Sequence, residues 1–147
     1  QMYGNNRDEQ IEYVSQSLKP DGLLILFEKL NTASDNYNMM EKIKDEFKAR
    51  YFKIEQIQKK KENILQTMEK GQVNKIELIN AASKFYKYGA LIWNSANFYE
   101  IVVSNSKENL EQFLKFLPKP YVPKKYRLEK QMVCSLWGNL DIPNNSN

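Results

Sequence analysis

Two rhythms of apolar positions alternate along the chain. The first is helical. Over Arg7–Leu18, Ile11, Val14 and Leu18 fall on one face, which predicts a helix. Pro20-Asp21-Gly22 stops it, with Gly22 expected to supply turn geometry that other residues resist. The unbroken run Leu23-Leu24-Ile25-Leu26-Phe27 then predicts a strand to Lys29, of the kind that a parallel α/β sheet covers on both faces.

Helical spacing returns after a polar loop at Asn31–Ser34. Ser34 or Asp35 is placed to cap a second helix to about Arg50, with Met39, Met40, Ile43 and Phe47 on its apolar arc. Tyr51-Phe52 reads as a joint, and a third helix runs from about Lys53 to Lys70, ending at Gly71. A fourth spans about Asn74–Tyr86, with Leu78, Ile79, Ala82, Phe85 and Tyr86 inward. Ala90–Ser95 and Phe98–Ser104 read as an antiparallel strand pair around a polar break. Ser106 caps a fifth helix whose inner face is Leu110, Phe113, Leu114 and Leu117, with Glu108 placed to assist the cap. Pro118, Pro120 and Pro123 end regular structure, and the polar Pro143–Asn147 tail is expected to fray.

This pattern leaves a sheet unfinished. One strand and an antiparallel pair expose edges and apolar surface. Completion by further sequence or by a second chain is therefore expected, with homo-oligomerisation as one route. The chain opens on Gln1-Met2-Tyr3 and reads as a piece of a longer protein.

Composition narrows the chemistry. The 147 residues are 41% hydrophobic and 27% charged, which suits one small domain. There is no His, which removes His-based triads and the usual neutral-pH general base. With a single cysteine, Cys134, there is no internal disulfide, and no metal site is expected. A reducing, cytoplasmic setting fits that cysteine usage. No apolar run approaches the ~20 residues of a membrane helix, so neither a span nor a membrane partner is expected. The net charge of +4 is mildly basic; it allows a nucleic-acid partner without indicating one.

Several residues are candidates for binding. Glu28 and Lys29 end the first strand, where open α/β sheets bind ligands; a solvated ion pair is the plainer alternative. Lys61 lies on the apolar stripe formed by Ile54, Ile57, Ile64, Leu65 and Met68, so it either snorkels to water or meets an anion. Arg50 raises the same question on the inner side of the second helix. Trp93 and Tyr99 sit at strand ends, where they wall a pocket or join the core, as does Tyr51 at the joint. The amides of Asn94-Ser95-Ala96-Asn97, including Asn97, either meet a substrate or satisfy the turn.

Taken in order, Leu24-Ile25-Leu26-Phe27-Glu28-Lys29-Leu30, Asp45-Glu46-Phe47-Lys48, Tyr51, Ile57-Gln58-Lys59-Lys60-Lys61, Ile64-Leu65-Gln66-Thr67-Met68, Ile92-Trp93 and Asn97-Phe98 form a series. It resembles the C-terminal half of a class I S-adenosylmethionine-dependent methyltransferase, closest in pattern to the carboxy-S-adenosylmethionine synthase family. The resemblance covers roughly residues 7 to 104. It implies an α/β, Rossmann-like fold over 1–104, a helical insertion over about 31–73 after the first strand, and a separate helix and Pro-rich tail over 105–147. It implies S-adenosylmethionine, or its carboxylated form, as cofactor, with the glycine loop and ribose-binding acid upstream of Gln1. The insertion would act as a lid and as a surface for a partner chain. In the synthase an arginine on the insertion holds the new carboxylate, and Lys61 takes that position here. Lysine lacks the bidentate fork, so methyl transfer to a small or medium-sized acceptor is favoured over carboxy-S-adenosylmethionine synthesis for tRNA wobble-uridine modification. A non-catalytic scaffold derived from such an enzyme is the third reading. No catalytic residue is assigned.

Overall fold

The computed structural model describes residues 6–32, 34–67 and 71–142. Within them the chain is a mixed α/β fold of five helices and one four-stranded antiparallel sheet. The elements are α1 (Arg7–Ser17), β1 (Leu23–Lys29), α2 (Ser34–Lys48), α3 (Ile54–Thr67), α4 (Lys75–Ser83), β2 (Tyr88–Ser95), β3 (Phe98–Ser104), α5 (Lys107–Phe116) and β4 (Cys134–Trp137). No described helix is long and apolar enough to cross a membrane.

The sheet order is β1-β3-β2-β4. β3 pairs antiparallel with β1 on one side, Leu23 opposite Ser104, and with β2 on the other, Tyr88 opposite Ser104. β1 and β2 therefore point the same way, joined by a helical crossover, with β3 filling the slot between them. This is a split β-α-β unit.

Side chains leave the sheet in two directions. One face packs Leu26, Leu91, Ile101 and Val103 against Ile11 of α1 and Leu78, Ala81 and Ala82 of α4. The other packs Ala90, Ile92 and Val102 against Leu110 and Leu114 of α5. Helices thus cover both faces, but unevenly. Over β1 the α5 face stays open, and Ile25 and Phe27 are 46% and 53% exposed.

That exposure corrects the reading of β1 as a parallel strand covered on both sides. A short apolar run does not reveal its partners' direction. Here its described neighbour runs antiparallel, and no described strand pairs with its other edge. Gly22 is also corrected. It has no left-handed backbone, since Gly138 is the described glycine with positive φ, at 87°. Instead a Cβ at Gly22 would lie 2.7 Å from the Leu18 Cγ, so the glycine makes room for the end of α1. Likewise at Gly89 a Cβ would fall 2.3 Å from the Trp137 ring, which lies flat on the β2 backbone.

The tail is structured where the sequence suggested only breaks. β4 pairs with β2 through Leu91–Cys134, Ala90–Ser135 and Gly89–Trp137, covering the edge expected to be bare. The cap of α5 forms from the Ser106 hydroxyl, which accepts from Asn109 N–H at 3.2 Å, but exposed Glu108 takes no part. A reciprocal capping box appears instead at α4, between Asn74 and Glu77. The expected continuation of α3 through Met68 to Lys70, and the frayed 143–147 tail, lie outside the described residues.

Candidate functional site

The carboxyl ends of β1 and β2 meet the start of β3, and the antiparallel register brings their side chains together. Phe27 stands opposite Glu100, and Glu100 opposite Trp93. Lys29 stands opposite Phe98, and Phe98 opposite Ser95. These residues alternate onto the same, α5-side face. The Phe27 and Phe98 rings lie nearly parallel with centroids 5.9 Å apart, and Trp93 tilts against Phe27 at 6.1 Å. The result is an open aromatic ledge, with half-buried Glu100 within it.

Two lysines border the ledge. Lys44 of α2 puts its Nζ 5.6 Å from the Phe98 ring centroid, donates to Asn97 Oδ1 at 3.4 Å and pairs with Glu41. Lys29 Nζ lies 6.0 Å from the Tyr37 ring centroid. The ledge can therefore offer ring faces to a cation or a flat group, and ammonium groups to an anion at its rim.

The polar break beneath the ledge is spent on structure. Asn94 is fully buried; its Nδ2 donates to the carbonyls of Ala96 and Phe98, both at 2.9 Å. Its Oδ1 accepts from the N–H groups of Leu128 and Glu129, at 2.8 and 3.1 Å. All its hydrogen-bonding capacity is used, and it ties the tail to the β2–β3 hairpin. Asn97 is also buried and donates from Nδ2 to the Leu30 carbonyl at 3.1 Å. Asn94 thus satisfies the turn, while the Asn97 amide ties the turn to the end of β1 and to Lys44. Ala96 meanwhile has a φ of 50°, a strained value for a non-glycine, and its N–H is held by the Tyr126 carbonyl.

Glu28 and Tyr99 lie on the opposite face. Glu28 is buried with Arg7 of α1: Nε to Oε1 is 3.2 Å and Nη2 to Oε2 is 3.3 Å. Arg7 Nη2 also donates to the Gly71 carbonyl at 3.0 Å, pinning the segment before α4. Burial pushes the Glu28 carboxyl above its ordinary range, against the pull of Arg7. Tyr99 is buried and donates to Glu129 Oε1 at 3.1 Å, while Lys75 holds the same carboxylate at 2.5 Å. Burial, then the Glu129 charge, raises the Tyr99 phenol well above its ordinary value. Burial and Glu129 raise the nearby Cys134 thiol as well, with Lys75 opposing, so it rests as a thiol.

Three candidates lie on the helical hairpin. Lys61 bridges to Asp45 of α2, so the anion it meets belongs to its own chain. Burial pushes Asp45 up, but the Lys61 hydrogen bond and charge, with Lys48 behind, outweigh it and leave the carboxyl below its usual range. The stripe that singled out Lys61 is itself weaker than expected: Ile54 is exposed and Ile57 half-buried, while the side chains of 64, 65 and 68 lie outside the described set. Arg50 and Tyr51 are exposed beyond the end of α2; Arg50 sits over the Phe47 ring at 5.9 Å, not on the inner side of the helix.

Of the eight sequence candidates, the ledge gathers Lys29 and Trp93, with Asn97 beneath. Sequence reasoning missed Phe27 as a partner of Phe98 because that pairing follows only from the β1–β3 register. Arg7 was missed because one charged residue near a helix start carries no signal of its buried partner. Among the described residues no group of three or more His, Cys, Asp or Glu is placed to hold a metal ion. Set against protein-family models, curated proteins and solved structures, the chain matches none of them.

Proposed function

We propose that this chain is the acceptor-side half of an S-adenosylmethionine-dependent methyltransferase acting on a small or medium-sized acceptor. The observation that supports the reading is the aromatic ledge at the carboxyl ends of β1 and β2. Ligands of α/β sheets bind outside such ends. The element order around the ledge is the one the sequence resemblance implies: strand, helical insertion, helix and antiparallel pair.

The residues present fit one part of the cofactor. Ring faces and a carboxylate suit a cationic sulfonium. Phe27, Phe98 and Trp93 would flank it, and Lys29 and Lys44 would hold an anionic group of the acceptor at the rim. The bound cofactor supplies an activated methyl group; the chain supplies position and exclusion of water. The remaining anchors of the cofactor are assigned upstream of Gln1. The unpaired edge of β1, with Ile25 beside it, is assigned to the preceding half or to a second chain. Lys61 is engaged by Asp45, so nothing here favours carboxy-S-adenosylmethionine synthesis over methyl transfer.

Calorimetry tests the reading. The chain alone should bind S-adenosylmethionine weakly or not at all, and the chain joined to the preceding half of its parent reading frame should bind it. In the joined protein Phe98→Ala should lower kcat/KM for methyl transfer by at least about tenfold, the scale of a lost positioning contact. A joined protein that binds no cofactor, or a parent frame without a glycine-rich loop, leaves the scaffold reading in its place.

A further inference from the structure

The joint between α2 and α3 carries an exposed surface apart from the aromatic ledge. Phe47, Tyr51, Phe52 and Ile54 lie within one short stretch, each between 57% and 69% exposed. Large apolar side chains so exposed and so close together mark an interaction surface. The same stretch, Phe47–Ile54, carries Lys48, Arg50 and Lys53 and no acidic residue. Aromatic and basic residues interleave: Phe47-Lys48, Arg50-Tyr51, Phe52-Lys53.

Contacts within the tip show how these groups are deployed. Phe47 and Tyr51 meet with ring centroids 5.5 Å apart, and Arg50 lies over Phe47 at 5.9 Å. Lys48 reaches back to Asp45 at 3.4 Å. Arg50, Lys53, Lys59 and Lys60 make no ion pair among the described residues. Lys53 immediately precedes α3, and Lys60, seven residues on, lies by helical spacing on the same side, about 10 Å along the axis. Glu46 and Glu55 lie on either side of this stretch, and beyond Glu55 the cations resume at Lys59 and Lys60 of α3.

We propose that this tip binds single-stranded nucleic acid. Exposed rings offer stacking platforms for unpaired bases, and a line of unpaired cations beside them suits a phosphate backbone. The interleaving favours this partner over an anionic lipid surface. A membrane contact places apolar groups together at the apex and cations around them. Here an arginine lies on a ring within the apolar patch itself, and the cations that make no ion pair among the described residues continue from it through Lys53 to Lys59 and Lys60 of α3, while Lys48 turns back to Asp45.

The test is fluorescence anisotropy of a labelled twelve-nucleotide oligouridylate titrated with the chain, without cofactor or acceptor, so that its outcome is separate from that of the methyltransferase reading. Saturable binding is expected, weaker for a duplex of equal length. The slope of log K against log salt should lie near −2 for contacts from Arg50, Lys53 and Lys60, at about −0.7 per phosphate on a single strand. Tyr51→Ala/Phe52→Ala should weaken binding about tenfold or more at unchanged slope, the loss expected of stacking. Lys53→Gln/Lys60→Gln should reduce the slope by about 1.4. All four positions are exposed, and circular dichroism will show that both variants stay folded. The proposal is overturned by no saturation at low salt, by equal binding of duplex, or by variants that bind as the parent does. It is equally overturned if the tip captures phosphatidylserine vesicles but no oligonucleotide, or if the variants change only the oligomeric state.

Discussion

The sheet with its packed helices and the α2–α3 hairpin are built on the same amphipathic period but hold together differently. In the sheet body Ile11, Leu30, Leu91, Ile101, Val102 and Val103 are almost wholly removed from water. In the hairpin Met40 alone among the described side chains is buried to that degree. In the hairpin Asp45 bridges α2 to Lys61 of α3, while Lys48 with Asp45 and Glu41 with Lys44 pair within α2. Helical spacing of apolar residues fixes which side of a helix is greasy. It does not ensure that a core lies there to receive it. The body is accordingly sensitive to loss of shape and of buried partners, and the hairpin to pH and salt.

The largest expected effect lies in the body. Arg7→Met leaves the Glu28 carboxylate buried without its cation and the Gly71 carbonyl without its donor. Urea unfolding should show a loss of about 3–5 kcal/mol. Arg7→Met/Glu28→Leu should recover most of it, because an apolar pair of similar volume replaces a buried ion pair well. A loss below about 1 kcal/mol for the single variant would remove the pair from the supports of the body.

Asn94→Leu comes next. It strips partners from two carbonyls and two N–H groups at once. Each such buried group costs about 1–3 kcal/mol, so a loss of at least ~2 kcal/mol is expected. Limited proteolysis should then cut between Arg127 and Gln131, where the tail has lost its tie. Resistance equal to the parent's would show that β4 holds the tail unaided.

Acid should move the two regions in opposite directions. The folded Asp45 pKa is depressed, so its contribution is present above the unfolded value near 3.8 and is lost as pH falls through the folded value. The folded Glu28 pKa is raised, so its contribution is fully present below the unfolded value near 4.5 and is lost as pH rises through the folded value. Hydrogen exchange at pH 3 against pH 6 should therefore show the hairpin loosened by up to about 1 kcal/mol while the α1–β1 contact stays protected. Loosening of both together would erase the distinction. Smallest of all, Lys61→Met should reproduce that acid loosening at pH 6, whereas Lys59→Met and Lys60→Met should stay within ~0.5 kcal/mol.

Much of the element order was legible from spacing alone. α1, β1 and the β2–β3 pair fall where their periods and turn residues put them. What was not legible depends on distant partners. The Leu23–Phe27 run looks the same whether its neighbour is parallel or antiparallel, so both the direction of β1 and the exposure of Phe27 were hidden. β4 has only four residues and a half-buried pattern, too short for a period to declare itself. At the site, Trp93 and Lys29 were found because strand ends advertise themselves. The ledge they belong to was not, because it exists only through the pairing of β1 with β3. Lys61 shows the converse: its place on a stripe was read from sequence, but its partner Asp45 comes from another helix.

The place of β3 between β1 and β2 has a consequence in time. β2 and β3 are joined by the two-residue turn Ala96-Asn97, a local closure that forms within microseconds. β1 must wait, since Lys29 pairs with Phe98 and Leu23 with Ser104, so its partner emerges only after the whole helical crossover has been made. A growing chain on the ribosome therefore carries Leu23–Phe27 unpaired through the synthesis of α2, α3 and α4. During that interval this unbroken apolar run is a free template for any other extended segment, its own copies included.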